Sequence, residues 1–145
     1  MVPKQNRYNR INLDGKSRNY TTTSLVALKG GQVVCLDATD KAVLATAALV
    51  NAGNHLYAVI AQTLGVGEEI PAGDSLTLDY METGREFALY APATTVLTRD
   101  KMLTVKDGVL ALAAEETPAD RVVAYSVEQY TVAVGKQELV RVRIA

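Results

Sequence analysis

The sequence predicts an all-β protein, a small β-barrel or β-sandwich with an extended N-terminal arm, and three observations support this fold class. Residues 139–144 place β-branched side chains at every second position, with a leucine or an arginine between them, which is the period of a strand with one buried face. From residue 25 onward, short apolar runs alternate with glycine and aspartate turn signals. Stretches with the 3.6-residue period of an amphipathic helix are scarce. The 145 residues are enough to bury the core of one domain.

The C-terminal residues predict a three-stranded meander. Residues 122–127, 130–134 and 139–144 are rich in β-branched and aromatic side chains. The connection Gly135-Lys136-Gln137 is short and begins with glycine, so we expect the second and third of these segments to pair as a hairpin.

The central part of the chain predicts a series of short strands joined by turns. Residues 42–48 are rich in alanine and could form a helix, but Val43, Leu44 and Thr46 favour a strand that runs into a loop. Asp107-Gly108 is typical of a two-residue hairpin turn. Residues 65–73 and 115–118 predict polar turns. The predicted strands occupy residues 25–28, 33–36, 42–48, 55–62, 75–80, 86–90, 94–98, 103–105 and 109–113.

A weak internal repeat suggests that the protein consists of two similar β halves. When the sequence is shifted by 66 residues, residues 43–45 and 109–111 both read Val-Leu-Ala, and Ala58 falls on Ala124. In an alanine-rich chain such matches also arise by chance. If residues 109–113 are a hairpin strand, the repeat favours a strand at residues 42–48 as well.

The charges divide the chain into a basic arm, residues 1–24, and an acidic all-β domain, residues 25–145. The arm has five cations and one carboxylate, a net charge of +4, whereas the remainder has ten cations and fifteen carboxylates, a net charge of −5. Such an arm is either disordered or lies extended on a partner, with tyrosines as anchors and cations at the rim. The predicted partner-binding residues of the arm are Lys4, Arg7, Tyr8, Arg10, Lys16, Arg18 and Tyr20.

The composition argues against a membrane protein and a nucleic-acid-binding protein. The longest uncharged apolar run, residues 42–50, is too short to cross a bilayer, and the first ten residues lack the apolar centre of a signal peptide. The acidic body would oppose phosphate binding by the arm. We therefore expect a soluble protein without a membrane or nucleic-acid partner.

Residues that could carry catalysis are few. His55 and Cys35 are the single histidine and cysteine, and we interpret them as a loop residue and a core residue rather than as a nucleophilic pair. The acidic pairs at residues 37 and 40, 68 and 69, 74 and 79, and 115 and 116 are interpreted as turn residues. We expect no enzymatic activity, no cofactor and no metal site.

Three segments of the body resemble the head decoration proteins, or cement proteins, of tailed bacteriophages. These segments are VKDGVLALAA at residues 105–114, DRVVAY at residues 120–125 and LVRVRI at residues 139–144. The resemblance implies a structural viral protein with a small β-barrel or β-sandwich. It also implies a homo-oligomer, a dimer or a trimer, that binds the outside of an assembled icosahedral shell.

From this resemblance we expect the major capsid protein as the partner, and the outer surface of the virion as the location after synthesis in the host cytoplasm. The arm is our own candidate for the attachment element. Deletion of residues 1–24 is accordingly expected to leave a folded body that no longer binds capsids. A tail or fibre adaptor and a ligand-binding β-barrel are the alternatives.

Overall fold

The computed structural model describes residues 7–8, 10–16, 18–60, 68–114 and 119–145. These residues form short strands and one short helix, so the predicted all-β class is confirmed. No helix among them has the length and apolarity of a membrane span. The elements are β1 (Asn19–Thr22), β2 (Leu28–Lys29), β3 (Val33–Leu36), β4 (Ala42–Leu44), α1 (Ala47–Asn51), β5 (Tyr57–Ile60), β6 (Glu69–Ile70), β7 (Leu76–Tyr80), β8 (Glu86–Ala91), β9 (Val96–Leu97), β10 (Met102–Lys106), β11 (Val109–Leu112), β12 (Ala124–Ser126), β13 (Tyr130–Thr131) and β14 (Glu138–Ile144).

Two antiparallel five-stranded sheets make up most of the fold. The first has the order β1-β7-β5-β3-β4 and the second the order β11-β10-β12-β14-β8, and two ribbons pair β2 with β6 and β9 with β13. In the first sheet, a single parallel bridge from Ser24 to Ala42 brings the chain after β1 close to β4. This bridge is isolated, and each sheet of the described residues remains open. The predicted closed barrel is therefore not found among them.

The two halves of the chain share one topology. Adding seven to each strand number of the first sheet gives the second sheet, since β1, β7, β5, β3 and β4 become β8, β14, β12, β10 and β11. The ribbon β2-β6 becomes β9-β13 in the same way. The register does not follow a uniform shift of 66 residues: Ala58 lies opposite Val33 of β3 and Ala124 lies opposite Leu103 of β10, so these partner residues are related by a shift of 70. The strand order thus supports the prediction of two similar β halves.

Two hydrophobic clusters form the core. The larger cluster joins both sheets and includes Val33, Cys35 and Ala58 of the first sheet and Phe87, Leu103 and Val140 of the second. The smaller cluster belongs to the first half and consists of Leu28, Val34, Ala42, Val59, Ile70, Leu76 and Leu78. Strand β3 therefore contributes to both clusters and is buried on both faces, which explains why it is apolar throughout instead of alternating.

The alanine-rich stretch corrects one sequence prediction. The strand ends at Leu44 instead of continuing to residue 48, and residues 47–51 form helix α1 where the end of the strand and a loop were predicted. The Thr46 side chain caps this helix, accepting a hydrogen bond from the backbone N–H of Leu49 at 3.3 Å. Alanines at the first two helical positions add helix propensity, and Val50 is buried. The Thr46 cap thus favours the helical conformation in a segment whose composition was compatible with either a helix or a strand.

The predicted hairpin at the C-terminus is also wrong. Strand β13 pairs with β9, and β14 lies between β12 and β8. Because both edges of β14 are occupied, none is left for β13. The Glu138 side chain closes the connection instead, accepting hydrogen bonds from the backbone N–H of Ala133 at 2.7 Å and from the Tyr130 hydroxyl at 2.9 Å. The alternation of β14 is confirmed from Val140 onward. Leu139, which the alternation predicts on the solvent-exposed face with Arg141 and Arg143, is buried.

The hairpin with the Asp107-Gly108 turn is confirmed and joins the two halves. Strands β10 and β11 pair in register, and both turn residues have positive φ. The Gly108 carbonyl accepts from the backbone N–H of Val33 at 2.9 Å, and its own N–H donates to Ala45 at 3.0 Å. The turn of the second half is thus hydrogen-bonded to the first sheet. Two other turns were predicted, at residues 65–73 and 115–118. Residues 65–67 of the first and the whole of the second lie outside the described residues.

Replacing Gly108 with alanine is expected to lower the free energy of unfolding by about 1–3 kcal/mol. A Cβ atom here would lie 2.5 Å from Leu44 Cδ2 and 3.2 Å from the Val33 carbonyl oxygen, on a residue with φ of +80°. Gly84→Ala is the matched control, because Gly84 has a similar φ of +87° and no atom within 4 Å of such a Cβ. Urea unfolding of both variants separates backbone strain from crowding. Equal losses would show that the turn tolerates the extra methyl group.

Candidate partner-binding site

The described part of the predicted arm contacts the second sheet and supplies strand β1 of the first. The Ile11 side chain is only 1% exposed and belongs to the larger hydrophobic cluster. Its carbonyl accepts from the N–H of Ala88 at 2.8 Å, and the N–H of Leu13 donates to Glu86 at 3.1 Å, so this segment covers the free edge of β8. Further along, β1 pairs with β7. The arm therefore completes the body where it is described, while the division at residue 24 into two units stays a prediction.

A first clamp holds the arm through Arg7 and Tyr8. The Arg7 guanidinium donates to both carboxylate oxygens of Glu128, at 2.5 and 3.2 Å, and lies 3.5 Å from the centre of the Tyr130 ring. The Tyr8 hydroxyl donates to the same carboxylate at 2.8 Å. Burial opposes ionisation of Glu128, but the hydrogen bonds from Arg7 and Tyr8 hold its pKa below the usual value. Arg7 and Tyr8 are thus engaged by the body.

This clamp predicts a loss of stability at high pH. Burial, followed by the hydrogen bond to Glu128, raises the pKa of Tyr8 from 10.0 to about 12. As pH rises past 10, the unfolded chain loses the Tyr8 proton first, so the free energy of unfolding should fall between pH 10 and about 12. Tyr8→Phe cannot ionise and should show a smaller fall in urea unfolding over this range. Tyr20→Phe, at an exposed position, is the control and should keep the wild-type slope.

A second, buried clamp is centred on Arg85. Its guanidinium donates to Asp79 through two hydrogen bonds of 3.0 Å and to Asp14 at 3.2 Å. The Arg85 and Asp79 side chains are only 6% and 1% exposed. Burial disfavours the charged form of Asp14, but hydrogen bonds from Arg85 and from the backbone lower its pKa. Arg85 thus links a carboxylate of the arm, Asp14, to a buried carboxylate of the body, Asp79. Sequence reasoning missed Arg85 and interpreted Asp79 as a turn residue, whereas it lies in β7.

The structure divides the seven predicted partner-binding residues into three groups. Lys4 lies outside the described residues. Arg7 and Tyr8 form the first clamp. The remaining four are exposed: Arg10, Lys16, Arg18 and Tyr20. Partner binding by these residues stays a prediction; among the six that the structure describes, the exposed four can reach a partner without first breaking the first clamp.

Two of the exposed residues join a cluster that we call the tyrosine patch, consisting of Arg18, Tyr20, His55, Tyr57 and Tyr80. The Tyr20 and Tyr57 ring centres are 6.3 Å apart, those of Tyr57 and Tyr80 are 5.4 Å apart, and those of Tyr80 and His55 are 5.5 Å apart. The Arg18 guanidinium lies 5.3 Å from the centre of the Tyr80 ring.

The strand order creates this patch. Strands β1, β7 and β5 are neighbours, and Tyr57 lies directly opposite Tyr80. The alternation of residues 75–80 places Tyr80 on the same face as Leu76 and Leu78, but those leucines are buried while Tyr80 remains half-exposed at the strand end. The alternation of residues 75–80 indicates the face of the strand on which Tyr80 lies. It does not indicate which strands bring Tyr20 and Tyr57 to that face.

His55 and Cys35 line one small cavity of about 140 Å³, together with Leu36, Asn54 and Tyr57. The Cys35 side chain is buried, and burial raises the pKa of its thiol, which disfavours the nucleophilic thiolate. The Nδ1 atom of His55 lies 2.5 Å from the Tyr80 hydroxyl. The interpretation of Cys35 as a core residue and of His55 as an exposed residue is confirmed. That the protein is not an enzyme stays a prediction.

One acidic loop has the predicted turn geometry. The Asp37 carboxylate accepts hydrogen bonds from the Thr39 hydroxyl and from the backbone N–H groups of Lys41 and Thr39, and these bonds lower its pKa. Nowhere in the described part of the chain do three or more histidine, cysteine, aspartate or glutamate side chains form a group that could hold a metal ion. The pair at residues 115 and 116 lies outside the described residues.

Comparison with known proteins yields a likeness of fold. No family model matches the chain, and no curated protein matches it. Among solved structures, the chain is similar to the N base of the head fiber gp8.5 of bacteriophage phi29, with a TM-score of 0.51 and 13% sequence identity. The similarity covers 90% of this chain and 95% of that chain. At this identity the similarity shows a shared fold.

Proposed function

We propose that this chain is a structural protein of a bacteriophage virion that binds the outer surface of the assembled capsid and stabilises it. The observation that carries the proposal is the fold shared with the N base of a phage head fiber over 90% of the chain. The resemblance of residues 105–114, 120–125 and 139–144 to head decoration proteins supports the same role. The proposed partner is the major capsid protein, and the proposed form is a homo-oligomer.

A physical argument supports stabilisation by such a protein. A ligand that binds the assembled shell and not the separate subunits shifts the equilibrium towards the shell. Because a shell presents many equivalent sites, weak contacts at each site add up over its surface. An arm already held by two clamps would lose less conformational entropy on binding than a disordered one.

Co-sedimentation tests the proposal. The purified protein is mixed with empty shells assembled from the major capsid protein encoded by the same genome, and the bound amount is read by gel densitometry. Saturable binding at a copy number fixed by the shell lattice is expected, together with a higher temperature of shell disruption. The unassembled capsid protein is the control and should bind weakly. Failure to bind shells would contradict the proposal.

The base of a capsid-attached fibre is the second candidate, because the similar solved structure is itself the N base of a head fiber. A fibre or tail adaptor would occupy only selected positions on the virion. Electron microscopy of virions labelled with an antibody against the body would discriminate between the two functions. Label over the whole shell indicates a cement protein, whereas label at fibres or at the tail indicates an adaptor.

A further inference from the structure

The tyrosine patch has the composition of the energetic centre of a protein interface. Tyrosine and arginine are enriched among the residues whose truncation most weakens protein–protein binding. Three of the seven tyrosines of the chain gather here, and Arg18 lies beside the ring of one of them, Tyr80. The Tyr20 side chain remains 38% exposed and that of Arg18 70% exposed, so both can contact another molecule.

The ring geometry favours a protein over a sugar or a single-stranded nucleic acid. The Tyr57 and Tyr80 rings meet nearly edge to face, at 81°, and the Tyr20 and Tyr57 rings are tilted by 39°. Successive bases stack on ring faces, and these rings do not present a row of parallel faces. They form an uneven surface with hydroxyl groups, which suits the irregular contour of a folded protein.

The charges indicate the kind of protein surface. Arg18 belongs to the segment with a net charge of +4, whereas residues 25–145 have a net charge of −5. Arg7 of this segment is held by Glu128, so the cation that the patch itself offers to a carboxylate of a partner is Arg18, whose side chain is 70% exposed. The pair of Arg18 with Glu82 is long, at 3.7 Å, and both side chains are exposed, so Arg18 can exchange Glu82 for a carboxylate of a partner at little cost.

We infer, on the basis of the capsid-binding function proposed above, that the tyrosine patch is the contact with the shell and that the shell surface it meets carries carboxylates. Tyr20 and Arg18 come from the arm, and Tyr57, Tyr80 and His55 come from the body. The attachment site is therefore composite, and it includes body residues that the arm sequence alone does not contain. Arg7 and Tyr8 hold the arm in place rather than touching the shell.

Charge reversal at Arg18 tests this assignment in the full-length protein. Arg18→Glu and Tyr20→Ser are compared with Arg143→Glu, the matched control, because Arg143 lies 5.4 Å from the Tyr125 ring centre and 3.9 Å from the exposed Asp100. The control thus alters the same kind of pair at another place. Co-sedimentation with the empty shells should show at least about tenfold weaker binding for the two patch variants, about 1.4 kcal/mol, and wild-type binding for the control. Melting temperatures should remain near the wild-type value for all three.

Four outcomes would overturn the assignment, and they are distinguishable. If the wild-type protein does not bind shells, the proposed function fails and the assignment fails with it. If the wild-type protein binds and Arg18→Glu binds equally well, the assignment alone fails. Equal weakening by Arg143→Glu would indicate a diffuse charge effect instead of a local contact. If light scattering shows that Arg18→Glu dissociates an oligomer, the patch joins copies of this chain rather than the chain and the shell.

Discussion

Replacing Arg85 with methionine is expected to lower the free energy of unfolding by about 3–5 kcal/mol. Methionine has a similar length, so the main change is the loss of the charge and of the hydrogen bonds to Asp79 and Asp14. Asp79 is only 1% exposed and would be left buried without its cation. Hydrogen bonds from the Asn12 side chain and from the backbone N–H of Arg18 would remain. Urea unfolding at neutral pH measures the loss.

Two further variants show whether the loss comes from an unpaired buried charge. Adding Asp79→Asn to Arg85→Met removes that charge and should recover part of the stability, which a double-mutant cycle would quantify. Arg143→Met removes an exposed arginine whose pair with Asp100 is 3.9 Å long, and it should change stability by less than about 0.5 kcal/mol. If Arg85→Met costs no more than Arg143→Met, the buried clamp contributes little to folding.

Local patterns in the sequence predicted those features of the fold that depend on residues adjacent in the chain. The Asp107-Gly108 turn is a property of two adjacent residues, and the alternation of β14 is a property of one strand. Pairing between distant strands is different, because β13 could have joined any free edge. It joined β9 since β14 already had two neighbours. The duplicated topology shows the same pairing in the first half, where β2 pairs with β6, but a uniform shift of 66 residues would not have located β13.

The sequence predicted the candidate site less well than the fold. It identified Arg18 and Tyr20 because they stand in a polar, basic segment, but it grouped them with Arg7 and Tyr8, which contact the body. The clamps depend on pairs such as Arg85 and Asp14, which are 71 positions apart, and no local pattern links such residues. Ile11 and Leu13 were available signals, since aliphatic residues in a polar arm suggest buried anchors.

Deleting residues 1–24 is expected to destabilise the body strongly, by more than about 5 kcal/mol, which is comparable with the whole stability of many domains. The deletion removes Ile11 from the core, a change that costs about 2–5 kcal/mol even as a substitution by alanine. It also removes Asp14 from Arg85, Arg7 from Glu128 and β1 from β7. The sequence alone predicted a folded body after this deletion, and these contacts lead to the opposite expectation.

Loss of capsid binding by the truncated chain would therefore not identify the arm as the attachment element, because an unfolded body cannot bind either. Near-ultraviolet circular dichroism and thermal unfolding of the truncated chain measure its folding directly. A synthetic peptide of residues 1–24 should restore both signals if the clamps and Ile11 hold the arm, and a peptide with Ile11→Ala should restore them less. A truncated chain that melts within a few degrees of the full-length protein would show that the body folds without its arm, and deletion would then be a valid test of attachment.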